Sequence, residues 1–142
     1  RAKNYDLNTF PFPRKVFSNM AENPLWEFMV LYLKDTYDMR GERLPVGVMF
    51  CYNNMDHTYV PSFIGMDYNY TNEFQVYRQM LYQTIMRAKE RNFKKIDFGM
   101  TAAFEKKKTG ATVIPKVAYV QAHDNFTLEL IGGMQNNPGG IK

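Results

Sequence analysis

The sequence predicts an α/β domain, a mixed and mainly antiparallel sheet with helices on both faces. Three observations predict it. Three β-patterned runs follow one another between residues 26 and 66, joined by short polar turns, which makes an antiparallel meander. At Phe74 the apolar spacing changes to a helical period. After that helix the chain returns to a β-pattern at residues 93–98, and a strand–helix–strand order implies a right-handed parallel pair.

Size and composition are consistent with this class. A chain of 142 residues, 45% hydrophobic, can bury one core, and its 15% aromatic content favours strands. The expected organisation is a single domain over residues 1–131 and a flexible Gly- and Asn-rich tail over 132–142. The chain begins at Arg1 rather than Met, which reads as a fragment or as one domain of a longer polypeptide with a fused or upstream partner.

In chain order, Phe10-Pro11-Phe12-Pro13 is extended, because residues before proline avoid the helical region. Residues 14–22 form a short helix that starts after Pro13 and ends at Asn23-Pro24. Residues 26–35 place Phe28, Val30 and Tyr32 on one face and Met29, Leu31 and Leu33 on the other. Both faces are apolar, which predicts a central strand covered on both sides. Residues 37–44 are a hairpin loop, 45–52 the next strand, 53–57 a turn and 58–66 the third strand, with an irregularity at Pro61. Residues 67–73 are a polar turn. Residues 74–91 form an amphipathic helix whose apolar face carries Phe74, Tyr77, Met80, Leu81, Thr84, Ile85 and Ala88. Asn72 and Gln75 make a capping-box-like start, Arg87, Lys89 and Arg91 complement the C-terminal dipole, and Asn92 is a left-handed stop. A short basic helix follows over residues 100–108, with Thr101 as its cap and Gly110 just past its end. Residues 112–122 are β-rich but broken by Pro115, and residues 126–131 offer one more edge strand.

Charge and motifs narrow the chemistry. A formal charge of +4 suits an anionic partner and equally suits a solvated basic surface. The single Cys51 sits in an apolar run, cannot form an internal disulfide, and points to a reducing, cytoplasmic setting. No apolar run is long enough to span a bilayer, so no membrane partner is expected. His57 and His123 have no ligand at metal spacing, so no metal is expected. Phosphate-loop, dinucleotide, nucleophile-elbow and zinc-protease signatures are all absent.

Two short segments carry a resemblance. Lys95-Ile96-Asp97-Phe98-Gly99 is similar to a strand ending in Asp-aromatic-Gly, and Lys106-Lys107-Lys108-Thr109-Gly110-Ala111 to a Lys-x-x-x-Gly segment, with Glu105 where an aromatic usually stands. Together with the helix leading into them, they resemble the GNAT (acyl-CoA N-acyltransferase) superfamily, and within it the FemAB-like branch. The resemblance implies transfer of an acyl or aminoacyl group to a small-molecule or peptide amine, from acyl-CoA as cosubstrate or from aminoacyl-tRNA. It puts the donor's pantetheine along Phe63, Ile64, Gly65 and Met66, and its pyrophosphate at the turn holding Thr71 and Asn72. That turn here has no glycine and two acidic residues, Asp67 and Glu73. Near the place of the family's tyrosine acid stands Phe104, without a hydroxyl.

Two further residues carry open alternatives. Asp97 either faces the cleft as a catalytic carboxylate, or caps the following helix or pairs with a lysine. Lys106 either contacts a phosphate as a point charge or belongs to a solvated helix face. The rival to an enzyme is a non-catalytic domain of the same fold, an accessory module in a larger protein such as a fused acyl-CoA-using, pyridoxal-phosphate-dependent synthase.

Overall fold

The computed structural model describes residues 12–117, 119 and 123. They divide into two compact units, residues 14–100 and the remainder. The first unit holds α1 (Arg14–Glu22), β1 (Trp26–Tyr37), β2 (Arg43–Asn54), β3 (Thr58–Met66), α2 (Tyr68–Thr71), α3 (Val76–Glu90) and β4 (Lys95–Ile96). The second holds α4 (Ala103–Lys108) and residues 111–117.

The four strands make one sheet in the order β1-β2-β3-β4. β1, β2 and β3 pair antiparallel, and β3 and β4 pair parallel across the α3 crossover. The meander and the parallel closure are the architecture the sequence predicts. The register shift opposite Cys51 leaves Ser62 unpaired between Pro61 and Phe63, which is the irregularity expected at Pro61.

The pairing sorts the side chains onto two faces. Glu27 opposes Cys51, Met29 opposes Met49 and Leu31 opposes Gly47, and this face carries α3. Val46, Met49, Cys51, Tyr59, Val76, Met80 and Ala88 close the core there, all but out of solvent. Each fully buried apolar side chain of this size contributes about 1.5–3 kcal/mol. Gly47 lets α3 approach: a Cβ on it would lie 3.1 Å from Val76 Cγ1 and 3.2 Å from Met80 Sδ. The opposite face is aromatic. Trp26 meets Tyr52, Phe28 meets Phe50, and α1 docks on it through Phe17, 5.2 Å from Phe50 between ring centroids. Helices therefore cover both faces.

Several local expectations are corrected. β1 is the terminal strand of the described sheet rather than a central one, and its Val30 and Tyr32 are 44% and 47% exposed. The two apolar faces of that run mimic a buried strand, but the single helix on the aromatic face is only nine residues long. Residues 67–73 are not a plain turn: Asp67 Oδ1 accepts from the Asn69 N–H and starts the one-turn helix α2. No capping box forms at α3. Its N-cap is Gln75, left-handed at φ 51°, and the Gln75 amide donates to the Asn72 carbonyl instead. The helix thus begins at Val76, and Phe74 stays exposed while Val76 takes its place in the core. β4 is shorter than expected, at two residues. Asn92 is left-handed as expected, at φ 59°.

In the second unit Thr101 does not cap α4. Both Thr101 and Ala102 are left-handed, and Ala102 is the N-cap without a side-chain bond. Gly110 lies just past the helix at φ 90°, where its N–H donates to Lys107 O. Residues 111–117 carry no regular structure. The expectations for residues 1–11, for the strand over 126–131 and for the 132–142 tail lie outside the described residues.

Candidate functional site

The parallel pair β3–β4 is the place where the sheet opens. It has two rungs, Thr58 with Lys95 and Tyr59 with Ile96, and its last bond runs from the Asp97 N–H to Tyr59 O at 3.0 Å. Beyond Tyr59, residues 61–66 of β3 have β2 on one side and, among the described residues, no strand on the other. The result is a fork with Tyr59 and Ile96 at its apex.

The pattern of β2–β3 bonds says which backbone groups face the gap. The Asp67 N–H donates to Val46 O at 2.9 Å. Antiparallel pairs alternate between bonded and non-bonded, so Gly65 and Phe63 also bond to β2 while Ile64 and Met66 turn their N–H and C=O groups outward. A strand edge of this kind can pair with an extended amide-bearing chain.

Of the residues expected to hold a donor, four lie on this limb. Phe63 is 38% exposed and stacks with Trp26 at 6.3 Å. Ile64 is 37% exposed, Gly65 is half-buried with Val48 close beneath it, and Met66 is half-buried against the core. Thr71 and Asn72 lie in the α2 segment just after this limb. The Thr71 hydroxyl donates to Asp67 O at 3.1 Å, and Asn72 is the exposed C-cap of α2.

Asp97 stands on the other limb, one residue past the apex, and is half-buried. Its Oδ1 accepts from the Gly99 N–H at 2.9 Å, while Gly99 itself is left-handed at φ 67°. One carboxylate oxygen therefore fixes the turn after β4, and Oδ2 makes no hydrogen bond to a described residue. Lys106 belongs to α4 in the second unit and is buried rather than lying on a solvated helix face. Its carbonyl accepts from the Thr109 hydroxyl at 2.7 Å and from the Thr109 N–H at 3.1 Å, closing the helix.

The sequence reading missed a polar cluster behind the apex. Glu27 on β1 lies on the core face and accepts from Tyr59 Oη at 2.7 Å, Arg87 Nε at 2.7 Å and Arg91 Nη1 at 3.1 Å. Tyr59 is fully buried, with its ring 4.9 Å from that of Phe93. Burial acts to raise the Glu27 carboxyl, but the bonds from Arg87, Tyr59 and Arg91 outweigh it and hold it below its ordinary 4.5. Tyr59 is raised far above its usual range, by burial first, so its hydroxyl stays a donor. The signal was present in the sequence: Glu27 is the only acidic residue between Trp26 and Lys34, on the face of Met29, Leu31 and Leu33. Burial also pushes the Cys51 thiol up to about 11, so it is no thiolate at neutral pH, and His57 is an exposed, left-handed turn residue at φ 61°. Among the described residues no three metal-ligating side chains come together, and no helix is long and apolar enough to cross a membrane.

No curated protein and no solved structure matches the chain. A family model does: the one described as an acetyltransferase (GNAT) domain matches residues 2–107. That match covers well over half of the sequence, and it takes in both the antiparallel meander and the fork to which α3 leads. The chain belongs to the GNAT acetyltransferase domain family, and its fold is that of an acyltransferase.

Proposed function

We propose that this domain transfers an acyl group from an acyl-CoA thioester to an amine, with the donor laid along the β3 limb of the fork. One observation carries the reading: the outward amides of Ile64 and Met66 beside a gap that no described strand fills. The amides of a pantetheine arm would pair with that row as a strand does. Phe63 and Ile64 are exposed on the same limb, and Thr71 and Asn72 follow it toward the donor's phosphates.

The reaction needs a neutral amine whose nitrogen attacks the thioester carbonyl. A C–N bond forms and the C–S bond breaks, and the proton lost by the attacking nitrogen neutralises the departing thiolate, which leaves as the free thiol. Asp97 Oδ2, at the lip of the fork, orients the incoming ammonium and accepts its proton. The left-handed Gly99 holds that carboxylate through Oδ1.

A second reading has its own observation. Asp67 already caps α2, and its carboxylate occupies the turn to which the resemblance assigns the donor's pyrophosphate. A domain with a blocked phosphate turn would serve as an accessory module in a larger protein, or would use an aminoacyl-tRNA donor in the FemAB-like manner.

Calorimetric titration with acetyl-CoA and longer acyl-CoAs separates these readings. Saturable binding, with turnover against a panel of small and peptide amines, supports the enzyme. In the Asp97→Asn variant turnover falls about 100-fold or more with donor affinity unchanged, as for loss of a general base. No heat with any acyl-CoA removes the CoA reading, and a salt-dependent shift with charged tRNA then selects the aminoacyl donor.

A further inference from the structure

We propose that Glu27 is a positioning residue for the fork: through Tyr59 it fixes the apex at which β4 leaves β3, and so sets the separation of the two limbs. This rests on the reading that the fork takes an acyl donor.

The argument starts from Tyr59, which is held twice. Its carbonyl accepts the last β4 rung from the Asp97 N–H, and its hydroxyl donates to Glu27 Oε2 at 2.7 Å. Glu27 stands two strands away on β1, across the core face from the fork. It is clamped in turn from the end of α3, by Arg87 and by Arg91. The guanidinium of Arg91 also lies 5.7 Å above the ring of Phe93, and that ring packs on Tyr59. The end of α3, the entry to β4 and the β3 side of the apex thus converge on one carboxylate. Only two rungs join β3 to β4, so the backbone alone holds the apex weakly. Shifting Tyr59 would move the Asp97 backbone with it, and the carboxylate at the lip of the fork would follow.

Tyr59→Phe keeps the ring against Phe93 and the backbone rung and removes only the hydroxyl. Glu27→Gln keeps an acceptor and removes the charge. The experiment measures amide exchange residue by residue in the full chain, and acetyl-CoA affinity by calorimetry, for the parent and both variants. The expected result is a loss of protection at Asp97 of about tenfold beyond that of the β1–β2 ladder at Met29 and Met49, with acetyl-CoA affinity weakened by a similar factor. Asp97 protection that falls only in step with the ladder overturns the proposal, since Glu27 is then a general stabiliser. Lost protection with unchanged affinity overturns the link to the donor. Absence of acetyl-CoA binding in the parent overturns the acyl-CoA reading instead, and the exchange data still decide whether Glu27 holds the apex. Arg91→Gln, which removes one donor of three, gives the same comparison in a milder background if either variant fails to fold.

Discussion

A carboxylate inside an apolar strand is costly unless it is paired, and Glu27 meets that condition with three donors. Its side chain is 16% exposed while Arg87 and Arg91 remain 41% and 37% exposed, so solvent screens part of the attraction. On that balance Glu27→Ala is expected to cost about 2 kcal/mol, chiefly by leaving the buried Tyr59 hydroxyl with only the weakly accepting Cys51 sulfur. The pH dependence has a definite sign. The carboxyl is depressed in the folded state, so its contribution is complete above the ordinary 4.5 and is lost as pH falls through the folded value. Denaturant midpoints at pH 7, 4 and 3 would show the parent losing stability over that interval and Glu27→Gln losing less. Gly47 is a second residue-scale test. Gly47→Ala places a methyl 3.1 Å from a branched Val76 carbon that cannot rotate away, and is expected to destabilise by about 1–2 kcal/mol despite the usual gain from replacing glycine.

At the scale of elements, α3 decides the packing. Its buried residues Val76, Met80 and Ala88 lie against the sheet, while Tyr82 on its outer side is 54% exposed. Met80→Ala should therefore lower stability by about 2–4 kcal/mol, and Tyr82→Ala by under about 0.5 kcal/mol, in matched urea unfolding. Equal losses would mean that the stripe is not the face the helix buries. The period that defines α3 is plain in the sequence from Met80 to Ala88. Its start is not, because Gln75 takes a left-handed conformation and moves the first turn to Val76. A capping box needs its Asn in an extended conformation, and Asn72 is instead the helical C-cap of α2 at φ −77°.

For the whole molecule, the fork predicts linkage between ligand and fold. Acetyl-CoA at 100 times its dissociation constant should stabilise the protein by about 2.7 kcal/mol, seen as a rise in melting temperature that grows with ligand concentration. The β3 strand was legible in advance from its residue pattern, but that residues 61–66 lie along an edge with no described strand beside it was not. Lys106 was not, because neither charge nor helical period distinguishes a buried lysine from the solvated Lys107 beside it.

The sequence by itself determined the order of elements, the antiparallel meander, the parallel closure and the irregularity at Pro61. These follow from local properties, namely period, turn chemistry and the backbone limits of proline. Tertiary structure alone decided where the sheet of the described residues ends, how short the β3–β4 pairing is, and that Glu27, Tyr59, Arg87 and Arg91 meet. Glu27 and Arg91 are 64 residues apart in sequence, and no local pattern can pair a strand carboxylate with a helix guanidinium at that separation. Their meeting is set by the register of β1 on β2 and by the position at which Gly47 lets α3 settle onto the sheet.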